Sequence, residues 1–185
     1  SVKSGGWLRE SGGEISGRTV GIVGMGAIGS HVARVVAAMG AKVVAHDPFP
    51  RNPGLHPALF RFAPLDELLR VSDVVTLHAP GHADGRPLLG AAELALLPKG
   101  AIIVNTARAS LVDDAALRVA LDEGAIGGYG TDVFPQEPPA DLMLAGHPRV
   151  IATSHIGALT AESVSRATEI AVANLLAALA RKAVA

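Results

Sequence analysis

The stretch Val20-Gly-Ile-Val-Gly24-Met-Gly26-Ala-Ile-Gly29 sets three glycines in the spacing Gly-x-Gly-x-x-Gly, after an apolar run and ahead of a helical pattern. Alone, that spacing arises often by chance. Its surroundings give it weight. A strand-like run, Thr19–Val23, precedes it, and Val32, Val35, Val36 and Met39 recur after it at helical spacing. Gly40 then stands where a helix C-terminal cap belongs, and a second strand-like run, Lys42–His46, ends at Asp47. In such a unit each glycine has a physical task. Gly24 permits a tight turn, Gly26 lets the backbone approach a pyrophosphate, and Gly29 lets helix and strand pack closely. The free N–H groups around Ala27 and Ile28, at the positive end of the helix, attract phosphates. Asp47 follows Gly29 by 18 residues, close to the separation of about 20 expected for an acid that holds a ribose. Its carboxylate can accept hydrogen bonds from both ribose hydroxyls of NAD and would repel the 2′-phosphate of NADP; Arg51 is the one nearby cation able to soften that preference. The competing reading is a glycine-rich turn that binds nothing.

Outward from this unit, short apolar runs alternate with helical patterns. That alternation predicts repeated βαβ units, and so an α/β fold: a doubly wound parallel sheet of the Rossmann type with helices on both faces. Strands are expected at Thr19–Val23, Lys42–His46, Asp73–His78, Ala101–Asn105, Gly127–Thr131 and Arg149–Ala152, with a short one at Phe60–Ala63. Leu65–Arg70 reads as a short helix, its N-terminal end favoured by Asp66 and Glu67. Another helix starts at the Asp113–Asp114 pair, shows Leu117 and Leu121 on one face, and stops at Gly124. A long one runs from Thr160 to Arg181, with Val164, Ala167, Ala171, Leu175 and Ala178 as its apolar stripe. The Pro- and Gly-rich stretches Asp47–Pro57 and Phe134–Pro148 are expected to be loops that line a site.

Composition agrees and narrows the function classes. Of 185 residues 49% are apolar, yet only four Phe, one Trp and one Tyr are present, so Val, Ile, Leu and Ala must build the core, as buried parallel strands require. With 16 basic against 17 acidic side chains and no basic block, a nucleic-acid partner is not expected. The absence of cysteine excludes disulfides, thiolate metal sites and a Cys nucleophile, and fits a cytoplasmic protein. No metal site is expected. No run reaches the roughly 18 apolar residues of a membrane span. The polar residues 1–16 begin with Ser rather than Met, lack a secretory signal, and read as a lead-in within, or trimmed from, a longer chain.

Hydride exchange on a 2-keto or 2-hydroxy acid needs a cation for the carboxylate, an acid/base for the hydroxyl proton, and a partner that tunes the acid/base. Arg, His and a carboxylate suit these roles. One candidate for each lies just past an expected strand: Arg108 after Ala101–Asn105, Glu137 after Gly127–Thr131, and His155 after Arg149–Ala152. Open α/β sheets bind ligands at that edge. The plainer readings are a surface cation, a solvated loop charge and an unexceptional histidine among seven.

At these residues the sequence resembles the D-isomer-specific 2-hydroxyacid dehydrogenase family, in its NAD-binding domain and with phosphoglycerate dehydrogenase-like members foremost. The resemblance runs from about Gly17 to Ala178. It is carried by Gly24–Gly29, Ser72-Asp-Val-Val-Thr-Leu-His-Ala-Pro80, Leu97-Pro-Lys-Gly-Ala-Ile-Ile-Val-Asn-Thr-Ala-Arg108, Leu111-Val-Asp113, Thr131-Asp-Val-Phe-Pro-Gln-Glu-Pro138 and Ser154-His-Ile-Gly-Ala-Leu-Thr160. It implies that Arg108 binds the substrate carboxylate, that Glu137 pairs with a catalytic His155, and that Asp132 holds the nicotinamide carboxamide. It also implies backbone contacts from Thr106 and Ala107 near the nicotinamide ribose, a cofactor-side segment at His78 and Pro80, and Gly157 and Ala158 beside the nicotinamide. Two departures stand out. Gly81-His-Ala-Asp-Gly85 replaces a Thr-containing segment, and Ala109-Ser110 replaces a Gly-rich pair. Glu137 disfavours the formate dehydrogenase branch, which carries Gln there.

The resemblance further implies NAD as cofactor, a small 2-hydroxy or 2-keto acid as substrate (phosphoglycerate, hydroxypyruvate, glyoxylate and lactate-type acids all stay open), and a homodimer. It sets residues 17–185 as the NAD-binding domain and 1–16 as the lead-in from a substrate-binding lobe. Without that lobe the chain is expected to bind NAD but to turn over poorly. The rival is an NAD-sensing, corepressor-like module without turnover; an intact Arg108, Glu137 and His155 do not separate the two.

Overall fold

A computed structural model describes residues 2–9 and 11–182. Seven parallel strands form one sheet in the order β3-β2-β1-β4-β5-β6-β7. Their ranges are β1 Thr19–Val23, β2 Lys42–His46, β3 Phe60–Phe62, β4 Val74–Leu77, β5 Ala101–Asn105, β6 Ile126–Thr131 and β7 Val150–Ala152. The chain winds outward one way through β1, β2 and β3, then returns to β4 and winds the other way. The order therefore reverses between β1 and β4, and a crevice opens at their carboxyl ends.

Alternation along each strand sorts side chains to two faces. Val20, Ile22, Val43 and Ala45 meet helix α1 (Ala27–Ala38) on one face. Val23, Val44, Val75, Leu77 and Ile103 join a larger cluster on the other, with Leu68 and Leu69 of α2 (Leu65–Val71) and Leu117 and Leu121 of α4 (Asp114–Asp122). All four of those leucines are at most 1% exposed, so each contributes about 1.5–3 kcal/mol of burial. Asp113 caps α4 by accepting from the Ala115 and Ala116 N–H groups, each at 3.0 Å, and Gly124 ends it in the left-handed region at φ 70°.

The expected strands all form, three of them with the expected limits and the rest trimmed or extended by a residue at one or both ends. Both expected loops are free of helix and strand. Two apolar stripes behave differently from their reading. On α1 the residues buried against the sheet are Gly29, Ala33 and Ala37, while Val35 and Met39 stand 45% and 55% exposed. Small residues let the helix come close to β1 and β2, and the larger valines flank the contact. On α5 (Ala161–Lys182) Val164 and Leu175 of the expected stripe are 50% and 59% exposed, because among the described residues no other element covers that face. A one-turn helix, α3 (Ala91–Leu94), has no counterpart in the sequence reading. Among the described residues, no helix is long and apolar enough to cross a membrane.

Candidate active site

The glycine turn joins β1 to α1 at the crevice. Gly24 has φ 94°, and a Cβ there would sit 2.6 Å from the His78 carbonyl oxygen, so both conformation and space demand glycine. A Cβ on Gly29 would come within 1.9 Å of the Gly24 carbonyl oxygen. Gly26 differs: nothing lies within 4 Å of its Cβ position. Gly26 is also the N-cap of α1, and among the described residues no side-chain hydrogen bond caps that end. Ala27 and Ile28, both exposed, thus start a helix whose first N–H groups have no acceptor within the helix. Asp47 is tied to this turn: Oδ2 accepts from the Met25 N–H and Oδ1 from the Phe49 N–H, each at 2.7 Å. Each oxygen keeps capacity for a further donor. This geometry fits a dinucleotide: bare backbone for phosphates, and an acid poised for a ribose.

His78 begins the opposing wall. Its backbone N–H extends the β4 ladder to the Val23 carbonyl at 2.7 Å, and its Nε2 lies 3.0 Å from the Thr76 hydroxyl. Burial lowers its pKa, which favours the neutral ring. Pro80 follows on the surface. The two departures of the sequence meet here, since a Cβ on Gly81 would lie 2.6 Å from the Ser110 hydroxyl oxygen. The serine side chain takes up space that a side chain at 81 would need.

After β5 the turn Thr106-Ala107-Arg108 is built by a residue the sequence reading did not single out. Asn105 is fully buried; its Oδ1 accepts from the Ala107 N–H at 3.1 Å and its Nδ2 donates to the Arg108 carbonyl at 2.9 Å. An Asn closing a strand and folding onto the backbone two residues on is the available signal. Arg108 is exposed, with Nη1 donating to the Ala107 carbonyl at 2.6 Å.

Beyond β6 and β7 the expected acid and histidine come together. His155 Nδ1 lies 2.8 Å from Glu137 Oε2 and 3.0 Å from Oε1. An ionised carboxylate only accepts, so Nδ1 carries the proton and Nε2 is left for a reacting group. The hydrogen bond with His155, and next the one from the Phe134 N–H, hold the Glu137 carboxyl below its usual range. An apolar cavity of about 380 Å³ opens beside the pair, lined by Phe134, Pro138, Leu142 and Ala152.

Asp132 is 5% exposed and gathers the loop that carries the histidine. Its Oδ1 accepts from the Thr153 hydroxyl at 2.5 Å and the Ile156 N–H at 2.9 Å, and its Oδ2 from the Gly157 N–H at 2.9 Å. These bonds, led by that from Thr153, hold its pKa down. Oδ2 retains capacity for one more donor, beside exposed Gly157 and Ala158. Arg108, Glu137 and His155 therefore follow three adjacent strands, β5, β6 and β7, at their carboxyl ends. The acid and histidine touch, whereas the arginine turns onto its own backbone.

Residues 1–157 match the model of the D-isomer specific 2-hydroxyacid dehydrogenase NAD binding domain. The chain belongs to that family. A glycerate dehydrogenase of Methylorubrum extorquens is 41% identical to this NAD-binding domain over 172 residues, spanning 91% of this chain and 52% of the relative. A crystal structure of a glyoxylate reductase from Paecilomyes thermophila superposes on the domain with a TM-score of 0.87 at 36% identity, over 96% of this chain and 54% of that one. That of an Aquifex aeolicus D-lactate dehydrogenase complexed with NAD and lactic acid gives a TM-score of 0.85 at 32% identity, over 96% of this chain and 59% of that one. The chain thus spans about half the length of the relatives it matches.

Proposed function

We propose that this chain is the cofactor-holding part of an NAD-dependent enzyme that interconverts a small D-2-hydroxy acid and its 2-keto acid. The observation that carries the proposal is the His155–Glu137 hydrogen bond, set at the carboxyl ends of β7 and β6 on the sheet edge that bears the glycine turn. Gly24, Gly26, Ala27, Ile28, Gly29 and Asp47 hold the adenosine diphosphate portion, and His78, Pro80, Thr106, Ala107, Asp132, Gly157 and Ala158 surround the nicotinamide end. Bound there, NAD(H) supplies or takes up the hydride. Arg108 swings from the Ala107 carbonyl to a substrate carboxylate, which it grips with two parallel donors. His155 gives the proton from Nε2 to the nascent hydroxyl in reduction, and takes it back in oxidation. Glu137 fixes the tautomer through Nδ1 and offsets the positive charge while the ring is doubly protonated.

The dehydrogenase and reductase relatives favour turnover over a purely NAD-sensing module. A homodimer and a cytoplasmic setting go with this reading and rest on family membership alone. Single-turnover reduction of a 2-keto acid by NADH, followed at high protein concentration, tests it. These 185 residues, which span about half the length of the relatives they match, are expected to react slowly by themselves. His155→Ala is expected to lose about a hundredfold or more in rate while NADH affinity changes by less than about threefold. A His155→Ala chain that keeps the wild-type rate would remove the proposal.

A further inference from the structure

His155 has φ 54°, the one non-glycine residue with positive φ among those described. For a residue with a Cβ, that left-handed conformation is strained by about 1–2 kcal/mol, so something must hold it. The holding group is visible. Asp132 accepts from Thr153 two residues before the histidine, and from Ile156 and Gly157 directly after it. Both ends of the loop are fastened to one carboxylate, and His155 is its apex. Gly157 itself lies close against the carboxylate, its Cβ position 3.1 Å from Oδ2. Two of the fastenings are backbone N–H groups, which any sequence supplies. The third is a side-chain hydroxyl, so it is a choice made by the sequence.

We propose that Thr153 is a positioning residue for His155, its hydroxyl on Asp132 setting the loop so that the imidazole meets Glu137. The role rests on the function proposed for His155, but its consequences for loop and ring are measurable without turnover. Thr153 also continues the sheet, its N–H donating to the Thr131 carbonyl at 2.9 Å. Its hydroxyl is therefore anchored from the rigid side, and the histidine side follows it. The same hydrogen bond is the largest cause of the depressed Asp132 pKa, so the carboxylate stays ionised and keeps accepting from Ile156 and Gly157.

The test uses amide exchange together with ¹⁵N spectra of the histidine rings in the intact chain, the His155 signals being assigned by their loss in His155→Asn. In the wild type, the Ile156 and Gly157 amides should exchange at least about tenfold slower than those of Ser154 and Ala158, and His155 should show one tautomer with the proton on Nδ1. Thr153 is exposed, so Thr153→Val is sterically tolerable. It should speed exchange at Ile156 and Gly157 by about tenfold and mix the two ring tautomers. Thr153→Ser, which restores the hydroxyl, should return both signals to wild type, a rescue that loss of packing would not show. Where turnover is measurable, Thr153→Val should lower kcat about tenfold with a smaller change in the NADH KM. Unchanged exchange and tautomer in Thr153→Val, or a Thr153→Ser chain that behaves like valine, would overturn the assignment. Should Thr153→Val fail to fold, equal exchange at all four wild-type amides would overturn it equally. A wild type that shows the protected amides but neither binds NADH nor turns over would instead count against the proposed function, and leave the positioning role standing.

Discussion

Replacing Gly26 and Gly29 separately with alanine should split the stability of the turn from its function. A methyl carbon keeps about 3.3 Å from a carbonyl oxygen, whereas the Cβ of Gly29→Ala would start 1.9 Å from the Gly24 oxygen. Helix α1 and the turn must part by more than about 1 Å. That overpacking should cost about 3 kcal/mol, or about 6–12 °C in Tm for a chain of this size. Gly26→Ala meets nothing within 4 Å, and its φ of −66° suits any residue. Its stability should stay within about 0.5 kcal/mol of wild type. The new methyl would, however, occupy the open space where a pyrophosphate has to approach, so the Kd for NADH should rise at least about tenfold, or 1.4 kcal/mol. Thermal melts followed by calorimetric titration with NADH read both quantities. Wild-type affinity in Gly26→Ala would show that the space is not the phosphate site. An undiminished Tm in Gly29→Ala would show that the close approach is not as described.

Two further outcomes follow from the charged groups. Burial first, then Asp113 and Asp141, raise the pKa of half-buried Asp114, so its charge at neutral pH disfavours the folded state; Asp114→Asn should stabilise the chain at pH 7 by less than about 1 kcal/mol, a gain that vanishes near pH 3, and a loss in urea melts at pH 7 would refute it. Asp132 is shifted the opposite way, so its stabilisation is present above the unfolded value of about 3.9 and is lost as pH falls through the lower folded value. Asp132→Asn should therefore cost about 1–3 kcal/mol at pH 7, with the deficit shrinking below about pH 4; a deficit that stays constant with pH would contradict the charge-based origin.

Much of this structure could be read from residue order, because the signals were local. Strands β1, β2 and β5 are apolar runs rich in β-branched residues, bounded by turn residues or Asn105, and their limits followed at once. The face of α1 did not. Valine spacing marks an apolar helix, but the sheet's demand for close approach placed Ala33 and Ala37 inward, a tertiary requirement with no periodic signature. Helix α3 is too short for any period to show. At the site, Glu137 and His155 were legible as types beyond strands, and the fold brought them to hydrogen-bond distance. The orientation of Arg108 onto Ala107, the Asn105 brace and the Asp132 fastening were not. Asp132 reaches residues 21 to 25 positions away, and only the pairing of β6 with β7 makes them neighbours. The two departures, far apart in sequence at Gly81 and Ser110, share one space in the fold.

Calorimetric titration of the chain with NADH, and then with NADPH, bears most directly on the glycine turn and Asp47 as a dinucleotide site. Saturable NADH binding is expected, with NADPH weaker by at least about tenfold, since the Asp47 carboxylate would face the 2′-phosphate. Binding of neither nucleotide, or equal affinity for both, would contradict it.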